Sequence, residues 1–153
     1  MSVQARPRLT ARALRLAWYC ALLVVAERPP DAAAQAATQA DIIGTWRGTS
    51  TCVDKVAFPA CHDEEVIYEV RPTAQSPDSV TLRADKVVDG SREFMGELEF
   101  GRGPNGEWSS EFESPRVRGR WTIRVEGTRM AGALIDVPSG RQVRAVALQR
   151  LPA

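Results

Sequence analysis

From Ile42 onward, apolar residues recur at every second position, and Gly, Pro, Asn or Asp interrupts the pattern at intervals of about 8–12 residues. A period of two sends successive side chains to opposite faces of an extended chain, so one face becomes apolar and the other polar. No stretch after Asp41 carries the spacing of an amphipathic helix. The pattern predicts eight strands, at 42–53, 64–72, 79–88, 92–101, 106–114, 116–126, 129–137 and 141–151. The breaks "RPTAQSPD", "DGS", "GRGPNG", "SP", "GT" and "PSG" are short, so successive strands are expected to pair antiparallel. Such a set can close into an eight-stranded up-and-down β-barrel, which leaves no exposed edge. The expected fold class is therefore all-β, with residues 42–153 as a single barrel domain.

Residues 1–36 read differently. Arg6, Arg8, Arg12 and Arg15 form a basic region, and "LRLAWYCALLVVA" from Leu14 to Ala26 is an apolar run. Ala34 and Ala36 flank Gln35 in an A-x-A pattern. This order is that of a cleaved secretory signal. The alternative is a retained membrane anchor, for which the run falls short of the ~20 residues a spanning helix needs. Trp18 and Tyr19 before Cys20 are too bulky for a lipidation site. Residues 37–41 are read as a short linker, and the mature protein as secreted or periplasmic. Without the leader the chain keeps 15 basic and 17 acidic residues, a net charge of −2. That balance gives no electrostatic footprint for nucleic acid.

Export leaves two cysteines, Cys52 and Cys61, which read as one disulfide in an oxidising compartment. The alternative, a metal site on Cys52, Cys61, His62 and Asp63, has a spacing that matches no zinc pattern. No metal and no cofactor is expected. His62 is the single histidine, and no G-x-S-x-G, H-E-x-x-H, P-loop or dinucleotide fingerprint is present. The acidic pairs Glu97/Glu99 and Glu111/Glu113 fall on predicted outer faces, so no catalytic residue is assigned and an enzyme is not expected.

Turn chemistry predicts the pairing of the later strands. A turn at Ser114-Pro115 sets Glu113 opposite Arg116, Glu111 opposite Arg118 and Trp108 opposite Trp121, although Ser-Pro is poor chemistry for a two-residue hairpin. Gly127-Thr128 suits a type II′ turn and pairs Val125 with Met130 and Ile123 with Gly132. A loop at 138–140 pairs Leu134 with Arg144, Gly132 with Val146 and Met130 with Leu148. The inner face then runs through Trp121, Ile123, Val125, Met130, Leu134, Arg144, Val146, Leu148 and Arg150. The outer face of residues 131–147 is rich in alanine, valine and isoleucine, which suggests a homodimer or another partner chain there.

Gly44-Thr45-Trp46 on the first strand resembles the G-x-W signature of the calycin superfamily, the lipocalins, fatty-acid-binding proteins and avidins. The resemblance implies that Trp46 plugs the closed end of a barrel and that Arg150, near the end of the last strand, packs across it. Gly44, Trp46 and Arg150 are structural residues in this reading. The resemblance also implies a small apolar or amphiphilic ligand inside the barrel, entering at the opposite end. There the longest join, 53–63, is fastened by the cysteine pair and carries Val56, Ala57 and Phe58, which are expected to face inward. Gly48 and Ser50 are small and are expected to leave space, and Arg144 and Asp136 lie near the mouth. Arg144 either pairs with Asp136 or receives a ligand carboxylate. Arg144, Asp136, Ser50 and Phe58 are the candidate ligand-binding residues. The rival reading is a protein–protein module whose barrel is filled by Trp108, Trp121, Phe94, Leu98, Phe100 and Phe112.

Overall fold

The computed structural model of the chain describes residues 38–74, 76–114 and 117–152. The leader expected at 1–36 and the pairing expected of Arg116 lie outside the described residues. The alternating pattern folds into β1 (Gly44–Cys52), β2 (Glu64–Pro72), β3 (Ser79–Val88), β4 (Ser91–Arg102), β5 (Trp108–Glu113), β6 (Arg118–Glu126), β7 (Arg129–Asp136) and β8 (Arg141–Arg150). Each strand pairs with the next, and β8 returns to β1 to close the barrel. Every pairing is antiparallel.

The β6–β7 hairpin has the expected register, with Val125 facing Met130 and Ile123 facing Gly132. In β7–β8 Leu134 faces Arg144 as expected, but a bulge after Leu134 shifts the turn end by one residue, so that Ile135 faces Gln142, Asp136 faces Arg141 and the loop is longer than 138–140. Gly127 supplies the left-handed φ of 59° that the tight turn requires. The β5–β6 hairpin differs from expectation. Its register is shifted by two residues, with Glu111 opposite Arg120, Glu113 opposite Arg118 and Trp108 opposite Ile123. Ser-Pro does not supply the positive φ of a two-residue turn, and the loop is instead closed from Ser114 to Val117, whose backbones bond at 2.8 Å. A shift of two leaves every side chain on its predicted face. Outside, Glu111 pairs with Arg120 at 2.6 Å and Glu107 with Arg124 at 3.0 Å, a solvated ladder of charge.

One end of the barrel is solid. Trp46 is fully buried, and its Nε1 donates to the Ile42 carbonyl at 2.9 Å. The Arg150 guanidinium lies 4.3 Å from the Trp46 ring centroid and donates to the carbonyls of Ile43 and Asp41. Gly44 takes φ 136°, and a Cβ there would stand 2.8 Å from Arg150 Nη1, so glycine leaves the room the guanidinium occupies. Residues read as linker belong to this plug. Gln39–Ile42 form a single helical turn, α1, with the Thr38 hydroxyl bonded to the Asp41 carboxylate at 2.7 Å. Gln39 Nε2 donates to the Ser79 carbonyl at 2.8 Å, and Ile42 is fully buried. One turn is too short to show a helical period in the sequence. Val70, Val80, Trp108, Val125, Met130 and Leu148 belong to the same continuous apolar core as Ile42 and Trp46.

Two details shape the walls. Gly48 does not provide open space: a Cβ there would meet the Ala147 carbonyl at 2.1 Å and the Leu148 Cα at 2.9 Å. It permits the close approach of β8 to β1. On the other side, a bulge between Ala84 and Asp85 sets Ala84 against Gly96 and Asp85 against Phe94, which leaves Met95 as the extra residue. Asp85 is 1% exposed on the outer wall, where Arg83 at 3.2 Å and Arg92 at 2.8 Å flank its carboxylate. Paired in this way, a buried charge is tolerated.

Gly48→Ala forces a backbone shift and is expected to lower stability by about 1–3 kcal/mol. Gly101→Ala, where a Cβ meets nothing within 4 Å, is the control and is expected to change little; urea unfolding of the two variants checks the contrast. Arg150→Ala removes the stacking and the two carbonyl bonds together, at an expected cost of about 2–4 kcal/mol in the same assay.

Candidate functional site

Closure at the Trp46 end leaves the other half of the barrel unfilled. A cavity of about 390 Å3 lies there. Tyr68, Leu82, Phe100 and Ile123 line its buried part, and Leu98, Phe112, Trp121 and Leu134 line its walls. The aromatic residues expected to fill the barrel divide between three places. Trp108 is buried in the core, Phe94 is 59% exposed on the outside, and the others border the cavity without closing it. Phe112 occupies the space a side chain at Gly119 would need, since a Cβ there would stand 2.6 Å from its ring.

The cavity reaches the surface. The β4–β5 ladder consists of Gly101–Ser109 and Arg102–Trp108, toward the closed end. Toward the mouth the two strands part, with Met95, Gly96 and Glu97 bordering the cavity on one side and Phe112 on the other. Met95 is both a lining residue and 41% exposed. Glu97 is exposed, as expected of an outer-face residue, and borders this opening.

One polar cluster interrupts the apolar wall. Arg144 Nη1 lies 3.0 Å from a Glu64 carboxylate oxygen and donates to Ser50 Oγ at 2.9 Å. Its Nη2 donates to the His62 carbonyl at 2.9 Å. Ser50 is 2% exposed and hydrogen-bonded to the Tyr68 hydroxyl. Burial of Tyr68 is the main cause that pushes its phenol up to about 12. Glu64 opens β2 with the same parity as Val66, Tyr68 and Val70, which turns it toward the interior.

Of the four candidate ligand-binding residues, Arg144 and Ser50 line the cavity. Asp136 does not meet Arg144. Its carboxylate accepts from the Ser139 backbone at 3.2 Å and from the Ser139 hydroxyl, which makes it a turn residue. Phe58 is half-buried in the 53–63 loop and does not border the cavity. Val56, expected to face inward, is 94% exposed. The loop holds itself instead. The Cys52 and Cys61 sulfurs stand 1.98 Å apart, at bonding distance. The Asp63 carboxylate accepts from Lys55 and from the Cys52 backbone, both at 2.8 Å. These bonds, that from Lys55 first, hold the Asp63 carboxyl below the usual range. Glu64, Tyr68 and Leu82 were missing from the expected site, yet the period of two in β2 and β3 places all three on the inner face.

No protein-family model matches the chain, and no curated protein matches it in sequence. Among the described residues, no group of three or more His, Cys, Asp or Glu is placed to hold a metal ion. The cavity wall is apolar over most of its extent, with its buried hydrogen-bonding groups gathered at the Arg144–Ser50–Glu64 cluster.

Tyr68 and Tyr19 are the two tyrosines, so in a chain lacking the leader the tyrosinate absorbance reports Tyr68 alone. It is expected to rise near pH 12, against about 10 for a free phenol. The folded pKa is raised, so the folded state retains a proton that the unfolded chain has lost. Stability therefore falls as pH climbs from about 10 toward 12. Tyr68→Phe is expected to remove that part of the alkaline loss in denaturation curves.

Proposed function

We propose that this chain is an exported, calycin-like barrel that binds a small apolar or amphiphilic molecule in its interior. One observation carries the reading: the half of the barrel opposite Trp46 encloses about 390 Å3 lined mainly by apolar side chains and open at its rim. Ligand pockets fall at about 300–1,000 Å3 and combine such walls with a few converging polar groups. A void of this size in a small domain sacrifices packing contacts, a cost that a bound ligand offsets. The cysteine pair at bonding distance supports an oxidising compartment.

The rival reading, docking of a protein through the outer face of residues 131–147, draws less support. Its exposed positions are small, Ala131 and Ala147 among them. Among the described residues, the large apolar side chains that stand exposed are Val53, Val56, Val88, Phe94, Met95 and Leu151, none of them on that face. All but Leu151 belong to the mouth end, where an apolar ligand would enter.

An uncharged, environment-sensitive probe such as 1-N-phenylnaphthylamine tests the reading. The wild type is expected to enhance its fluorescence saturably. Ala84→Phe, which places a ring in the cavity, is expected to abolish the enhancement while circular dichroism stays that of the barrel. A wild type that leaves the probe dark would refute a ligand-binding barrel.

A further inference from the structure

The cation inside the barrel is not free to meet an anion. Arg144 Nη1 is held by Glu64 at 3.0 Å and Ser50 Oγ at 2.9 Å, and its Nη2 by the His62 carbonyl at 2.9 Å. Among the described residues bordering the cavity, the charged ones are Arg144 and Glu64 inside and Glu97, which is exposed, at the rim. A ligand carboxylate entering there would meet a guanidinium that Glu64 already neutralises, and would either add a second carboxylate beside Glu64 or displace it and leave it without its ion pair in a partly desolvated pocket. Truncating or displacing one partner of a buried pair is costly for that reason.

One Glu64 carboxylate oxygen lies 3.0 Å from Arg144 Nη1, and a carboxylate with two oxygens has acceptor capacity beyond one such contact. The site thus presents acceptor capacity within an apolar wall, with its cation already neutralised. A cationic head would gain little, because Glu64 is committed to Arg144 and Glu97 is solvent-exposed. A neutral donor such as a hydroxyl or an amide N–H uses that capacity without either desolvation penalty.

Resting on the ligand-binding reading, we infer that the cavity selects an uncharged amphiphile whose polar head donates a hydrogen bond at the Glu64–Arg144–Ser50 cluster, and discriminates against fatty carboxylates. The ion pair acts as a filter on the charge of the head group. Glu64 is the residue that sets the preference.

The test is competition between 1-dodecanol and dodecanoate for 1-N-phenylnaphthylamine bound to the full-length protein, at neutral pH and below micelle formation. Dodecanol is expected to displace the probe at a concentration at least about tenfold lower than dodecanoate. Glu64→Gln, which releases Arg144 and keeps the side-chain shape, is expected to raise the affinity for dodecanoate about tenfold and narrow the gap. A wild type that binds dodecanoate as well as dodecanol would overturn the charge filter and leave the binding barrel standing. Bound probe that neither lipid displaces would also overturn it. No probe signal would take down the ligand-binding reading and the filter together. Glu97→Gln, at the exposed rim, is the second variant should Glu64→Gln unfold; it is expected to leave dodecanol ahead, and a reversal there would place the filter at the rim and refute the role of Glu64.

Discussion

The stacking of Arg150 on Trp46 joins three parts of the chain that are far apart in sequence. Trp46 belongs to the first strand, Arg150 to the last, and the carbonyls of Asp41 and Ile43 to the turn that precedes the first strand. A sheet becomes a barrel only when its last strand finds its first. Here the two strands meet with Trp46 opposite Arg150 in the ladder. The guanidinium therefore closes the barrel laterally and seals it axially, and Gly44 is the residue that leaves it room.

This plug determines where a cavity can exist. The large side chains Ile42, Trp46 and Trp108 are all buried in the core that includes the plug. A barrel of this size has few more to spend, and the interior beyond Phe100 and Ile123 is lined but not filled. The parting of β4 from β5 then gives that space an opening at the rim. The bulge at Ala84/Asp85 adds Met95 to the wall. Packing at one end and emptiness at the other are two consequences of the same limited volume of side chains.

Two charged clusters among the described residues are withdrawn from solvent in different ways. On the outer wall Asp85 is flanked by Arg83 and Arg92, and Arg92 is tied in turn to Glu69. The bonds that Glu69 accepts from Arg92 and from Arg71, that from Arg92 first, hold its carboxyl below the ordinary range. That network lies on the outer face of the wall that Ala84 lines from within, and it explains itself as compensation for a desolvated carboxylate. Inside, Arg144 is compensated by Glu64, Ser50 and a backbone carbonyl, but at the edge of open space. The first arrangement lies on the outer wall, whereas the residues of the second line the cavity.

The sequence by itself determined what depends on local period and turn chemistry. The eight strands, the faces of their residues away from the bulges, the register across Gly127-Thr128, the pairing of Leu134 with Arg144, and the meeting of Arg150 with Trp46 follow from a period of two and from the closure of an antiparallel set. The pairing of Cys52 with Cys61 followed from their number. Glu64 was legible too, by its parity with Tyr68, though only once its strand was followed to its first residue. What the tertiary structure alone decided concerns contacts across strands and the volume they leave. The two-residue shift at β5–β6 depends on how the loop at 114–117 closes, and parity is blind to a shift of two. The inward helical turn at Gln39–Ile42 is shorter than any helical period. Gly48 is a point of contact with β8 and not a gap, and Arg144 turned to Glu64 and not to Asp136. A period tells which way a side chain points; only three-dimensional closure tells what it meets, and how much room is left when all of them have met.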